Sequence, residues 1–117
     1  MLENIALIRE VHQHKSIQDA QKEAKNCLNK INKTDIGLKR LHQVSEVEMF
    51  YVMVARAMMS DEDKIVLINP LAILQHVEYL AIAMKNLAIL NDNKNIIILE
   101  NDINRFHYDG MWVFNDV

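Results

Sequence analysis

Two short apolar runs, Lys64-Ile65-Val66-Leu67-Ile68 and Ile96-Ile97-Ile98-Leu99, flank a long helical segment, and this order constrains the fold more than any other feature. Continuous runs of this length, rich in β-branched residues, fit strands buried on both faces. Pro70 ends the first run because its ring removes a backbone donor. The spacing then predicts one helix over about 72–91, with Val77, Leu80, Ala81, Met84, Leu87 and Ala88 on one face. Asn91-Asp92-Asn93 stops that helix. Strand, helix and strand in this order make a βαβ crossover, which forces parallel pairing. A short helical turn near 102–108 and a third strand at Met111-Trp112-Val113-Phe114 follow.

Upstream of the first run the periodicity is helical. Leu2, Ile5, Leu7, Ile8 and Val11 suggest a short, partly exposed helix over 2–14. Ser16 with Asp19 looks like an N-cap, and Ile17, Ala20, Ala24, Cys27, Leu28 and Ile31 then repeat at helical spacing over about 17–31. Thr34-Asp35 can cap a short turn through Leu41, with Gly37 loosening it or ending its first turn. Ser45 followed by Glu48 forms a capping-box pattern, in which hydroxyl and carboxylate satisfy backbone amides reciprocally. From Val47 to Met59 the segment is apolar almost all round, which implies burial on several sides. Met49, Met53, Met58 and Met59 are then core filler rather than metal ligands. The fold class is therefore helix-rich α/β: a helical subdomain over 1–60 and a partial α/β core over 61–117, built from the βαβ unit and one further strand.

Composition excludes several functions. The net charge is −3 with mixed signs, so no basic field attracts nucleic acid or anionic lipid. The single Cys27 has no internal partner and the first residues lack a basic targeting region, which fits a reducing cytoplasmic setting. No run reaches the ~18 apolar residues of a membrane span. Only Gly37 and Gly110 occur, where average usage of about 7% predicts about eight glycines. Phosphate-cradling loops need several glycines, and no G-x-x-x-x-G-K-[ST] sequence is present.

The stretch from His42 to Pro70, HQVSEVEMFYVMVARAMMSDEDKIVLINP, carries a resemblance. It is similar to the signature-helix-to-Walker-B segment of the ABC ATPases, which reads roughly H-Q-L-S-G-G-Q, then A-R-A-L, then an apolar strand closed by D-E-P. Ala55-Arg56-Ala57-Met58 resembles A-R-A-L, and Pro70 matches the proline after Walker B. Leu2-Glu3-Asn4-Ile5-Ala6-Leu7 resembles the opening of that family's helical subdomain. Ile96 to Asp102 resembles its switch strand, and Asp109 to Asn115 the strand that follows. Each phrase is weak; their order and spacing are specific. The resemblance covers only the second half of the family's fold.

The departures from the pattern bear on chemistry. Glu46 and Val47 stand where the signature has paired glycines that present amides to a γ-phosphate, and Glu48 follows them. Ile68 and Asn69 stand where Walker B has the aspartate that holds magnesium through water and the glutamate that acts as general base. Gln75 replaces the D-loop aspartate, and Asn101 the switch histidine. With Ser45, these are the degenerate motif positions. An aliphatic side chain binds no metal and an amide has no useful basicity, so no catalytic residue, nucleotide, metal or other cofactor is expected.

Other groupings are less specific. His12, His14, His42, His76 and His107 form no H-x-x-x-H pair, and His12 and His14 on one helix would point apart. Asp102, His107 and Asp109 lie close in sequence as acid or base groups, but no nucleophile motif accompanies them. Lys22, Lys25, Lys30 and Lys33 read as a solvated helix face.

The resemblance implies a catalytically inactive protein acting through protein contacts, such as an accessory or regulatory subunit of an ABC transporter. Its location would be cytoplasmic, peripheral at the inner face of the membrane through a partner. The partner would be an ABC permease docking near 2–14 and 34–45, or an active ATPase subunit. Open strand edges independently predict a homodimer or an obligate partner. Two alternatives stand beside this reading. One is a fragment of a longer ABC ATP-binding protein, with Walker A upstream and ATP bound in a composite assembly. The other is an interaction module unrelated to transport.

Overall fold

The computed structural model describes residues 1–108, the side chains of Asp102 and Arg105 excepted. Helices α1 (Leu2–His12), α2 (Ile17–Lys30) and α3 (Glu46–Met58) come first, with 3₁₀ turns at Thr34–Leu38 and Leu41–Gln43 between the last two. Then follow β1 (Lys64–Ile68), α4 (Pro70–Leu74), α5 (Val77–Leu90), β2 (Asn95–Leu99) and a 3₁₀ turn at Asp102–His107. The strands pair in parallel, with Ile65 opposite Ile96 and Leu67 opposite Ile98. The described chain is thus a helix-rich α/β protein with a two-stranded sheet. The further strand expected at 111–114 lies outside the described residues.

Local chemistry explains where the helices start. Ser16 Oγ accepts the Asp19 N–H at 3.1 Å. Ser45 Oγ accepts the Glu48 N–H at 3.1 Å, while Glu48 Oε1 accepts the Ser45 N–H at 3.0 Å, completing the capping box. Thr34 does not cap the turn it opens, whose preceding residue is Lys33 and which has no side-chain cap. Gly37 neither loosens nor ends that turn. It is buried within it, and a Cβ there would sit 2.7 Å from Leu2 Cγ, so the glycine serves close approach. α1 stops at His12, and His14 lies beyond it at φ 55°, so the two histidines do not share a helix.

The helix expected over 72–91 is two helices. Gln75 adopts φ 68° and donates its N–H to the Leu71 carbonyl at 2.7 Å, which ends α4. His76 is extended, and its carbonyl accepts the Leu80 N–H at 3.1 Å to start α5. Burial gives the reason. On one continuous helix Leu74 and Leu80 would point about 120° apart, yet both are fully buried. The break rotates α5 so that Leu80, Ala83, Met84, Leu87 and Leu90 face the core, and leaves Val77, Ala81 and Ala88 exposed.

The strands are not buried on both faces either. Ile65, Leu67, Ile96 and Ile98 pack on or against the core. The alternate positions Val66, Ile68 and Leu99 are 51%, 64% and 52% exposed, because the helices cover only one face of the described sheet. Met58 and Met59 fill the core and Met49 packs against it, but Met53 is exposed.

A single apolar cluster runs through both halves of the chain, from Ile5, Leu28 and Val52 to Leu74, Leu80 and Leu87. Polar ties fix its rim. Arg9 donates to the Met59 carbonyl at 3.1 Å, satisfying the end of α3, and to Glu23 at 2.9 Å. Lys94 donates to the Ser60 carbonyl at 2.8 Å and to that of Glu62, joining the turns that precede the two strands.

Candidate functional site

α4 is only five residues long, and the eight degenerate motif positions gather around its two ends. At its start, Ile68 and Asn69 close β1, and the Asn69 N–H donates to the Leu99 carbonyl at 2.7 Å. Asn101 follows two residues later on the neighbouring strand's exit and is exposed. At the other end of α4, Gln75 Nε2 donates to Glu46 Oε2 at 3.3 Å. Ser45, Glu46, Val47 and Glu48 form the start of α3. The ridge therefore joins the carboxyl ends of the parallel strands, where open α/β sheets bind ligands, to a helix N-terminus, where anions bind.

The groups along this ridge are occupied by one another. The start of α3 is covered by its own Ser45 hydroxyl and Glu48 carboxylate, with Glu46 adding a second negative charge in the first turn. Lys39 makes an ion pair with Glu48 at 2.5 Å. That hydrogen bond holds the Glu48 carboxyl below its ordinary 4.5 and raises the Lys39 ammonium in return. A phosphate approaching α3 meets the carboxylates of Glu46 and Glu48, which repel it.

At the sheet end the central group is Glu100, which the motif comparison passes over. Its Oε2 accepts the Leu71 N–H at 3.2 Å and the Tyr108 hydroxyl at 2.9 Å. Its Oε1 accepts the Asn101 N–H at 3.1 Å and the Asn104 amide at 3.3 Å. Burial pushes this carboxyl up, but the donors around it outweigh burial and hold it below 4.5. Tyr108 is correspondingly raised, by burial first and by Glu100 second. Glu100 is thus a structural clamp between β2, α4 and the turn after β2, with its lone pairs taken. The signal in the sequence was a lone acid directly after an apolar run; Asn101, Asn104 and Tyr108 follow within eight residues, but the α4 donor Leu71, which makes it a clamp between elements, lies 29 residues back along the chain.

No group of three His, Cys, Asp or Glu among the described residues is placed to hold a metal ion. The His107 ring centre lies 4.1 Å from that of Phe106, with the rings tilted by 48°, while Asp109 lies outside the described residues. Lys22, Lys25 and Lys30 are exposed, as a solvated face requires, but Lys33 is half-buried with its ammonium 4.7 Å from the Tyr51 ring centre. Burial also raises the Cys27 thiol, which leaves it a poor nucleophile.

A separate groove of about 600 Å³ runs between the start of α1 and the 3₁₀ turns, lined by Met1, Leu2, Glu3, Leu38, Arg40 and Leu41 among others. Leu38 and Leu41 project into solvent beside it. No helix among the described residues is long and apolar enough to cross a membrane. No family model, curated protein or solved structure matches the chain.

Proposed function

We propose that this chain is a catalytically inactive ABC-ATPase-like protein that works through protein contacts, as an accessory or regulatory subunit of an ABC transporter. It would sit in the cytoplasm, held at the inner face of the membrane by a permease or by an active ATPase subunit. The observation that carries this reading is the start of α3, where the Ser45 hydroxyl and the Glu48 carboxylate take the Glu48 and Ser45 amides and Glu46 adds a second negative charge in the first turn. Around it, the other positions that would hold metal or activate water carry Ile68, Asn69, Gln75 and Asn101.

Two surfaces support action by contact. The groove beside Leu38 and Leu41 lies within the region that the resemblance assigns to permease docking. The outer face of the sheet is apolar and, among the described residues, uncovered, and parallel sheets are normally covered on both faces. The test is calorimetric titration of the chain with ATP and Mg²⁺, paired with recovery of partners on the tagged protein. The expected outcome is no heat of binding at millimolar nucleotide, with a permease or ATPase subunit recovered. Saturable micromolar binding would overturn the inactive assignment, and recovery of neither subunit would overturn the transporter role.

A further inference from the structure

We propose that α5 is a self-association helix: two copies of this chain pair their α5 helices antiparallel about a two-fold axis between Ala81 and Ile82, each Glu78 facing Lys85 of the partner subunit. The inference is independent of the ABC-like reading, because it uses a face on which no motif position lies.

α5 carries two charged side chains, Glu78 and Lys85, in 14 residues. Its core face is Leu80, Ala83, Met84, Leu87 and Leu90. A surface helix is normally polar on the opposite face, but here that face holds Ala81, Ile82, Ala88 and Ile89, with Ile82 and Ile89 51% and 55% exposed. Such a face is incompletely solvated and fits another apolar surface. Nothing else among the described residues covers it.

The two charges say what does. Glu78 and Lys85 are two helical turns apart, about 10.5 Å along the axis, and lie on the same side of the helix. The ion pairs among the described residues join Arg9 and Lys15 to Glu23 and Lys39 to Glu48, so they engage neither residue. A two-fold axis midway between Ala81 and Ile82 is also midway between Glu78 and Lys85. One axis therefore satisfies two conditions at once: opposite charges meet at both ends of the contact, and Ile82 of each copy meets the small Ala81 of the other. A parallel pair would instead set Glu78 against Glu78 and Lys85 against Lys85. Both features are self-complementary, which is the requirement of an isologous dimer and not of an unrelated partner.

The contact is modest. A 14-residue helix is about 21 Å long, and one helix pair buries less than the roughly 800 Å² per partner of a standard interface. The dimer should therefore dissociate in the micromolar range.

Sedimentation of the full chain across a concentration series tests this, with circular dichroism as the control on folding. Both charged residues are exposed, so their reversal leaves the fold intact. Glu78→Lys and Lys85→Glu should each weaken the dimer by about tenfold, since each converts two attractive pairs into two repulsive ones. The double variant should restore wild-type affinity, and an equimolar mixture of the two single variants should form a heterodimer tighter than either homodimer. Ile82→Asp should leave a monomer. A wild-type chain that stays monomeric at several hundred micromolar would overturn the proposal. So would a dimer indifferent to both reversals, or a double variant that fails to recover.

Discussion

At the scale of single residues, Glu100 shows how a charged group can be central to the structure without being catalytic. Four donors from β2's exit, α4 and the following turn converge on its carboxylate. Glu100→Ala should therefore destabilise the fold by about 1–3 kcal/mol, the range for removing an acceptor from partly buried donors, read as a lower urea midpoint. The pH dependence follows from the lowered carboxyl. Because the folded value lies below the unfolded one, the contribution is fully present above the ordinary 4.5 and is lost as pH falls through the folded value. Urea midpoints from about pH 7 to about pH 3 should drop on the acid side, and Glu100→Gln should flatten that drop. An unchanged acid limb in the variant would remove Glu100 from the account. Ser45 and Glu48 were legible in the sequence because a capping box is local, a hydroxyl and a carboxylate three residues apart. Glu100 was not legible as a clamp, because one of its donors, Leu71, is 29 residues away.

At the scale of elements, the boundaries set by local chemistry were legible and those set by burial were not. Asn91 ends α5 by both accepting the Lys94 N–H and donating to the Lys94 carbonyl, each at 2.9 Å, as an asparagine stop signal implies. The break at Gln75 carries no such signal. Glutamine is a good helix former and no glycine marks the turn, so periodicity alone runs α4 into α5. Tertiary packing decides it, by burying both Leu74 and Leu80. The cost falls on Gln75, held at φ 68°, a conformation worth about 1–2 kcal/mol less for a residue with a Cβ. Gln75→Gly should therefore stabilise the protein by about 0.5–1 kcal/mol, part of the relief being offset by glycine's freedom in the unfolded chain. Thermal unfolding measures it, and the exposed 3.3 Å bond to Glu46 is too weak to reverse the sign. A lower melting temperature would mean that the Gln75–Glu46 contact holds α4 against α3 more firmly than its geometry implies.

At the scale of the whole molecule, the question is whether the helices of residues 1–60 and the strands and helices after them form one folding unit. The sequence marks a change of architecture near residue 60, and both described strands do lie beyond it. Periodicity cannot say whether that change is also a boundary in the core, since side chains from either half can satisfy the same apolar stripe. The structure places Leu28 and Leu80, each fully buried, in one continuous cluster with Ile5, Val52 and Leu87. Two truncations test this, Leu28→Ala in the first half and Leu80→Ala in the second. Each should cost about 2–5 kcal/mol from lost burial and the cavity left behind. If the core is one, both variants shift the same single transition, and far-ultraviolet dichroism and amide exchange report it at the same denaturant concentration. Arg9, which ties α1 to the end of α3 and to α2, and Lys94, which ties the turns before the two strands, would then lose protection together. Two transitions, with Leu28→Ala moving only the first and Leu80→Ala only the second, would instead divide the chain near residue 60 into separately stable parts.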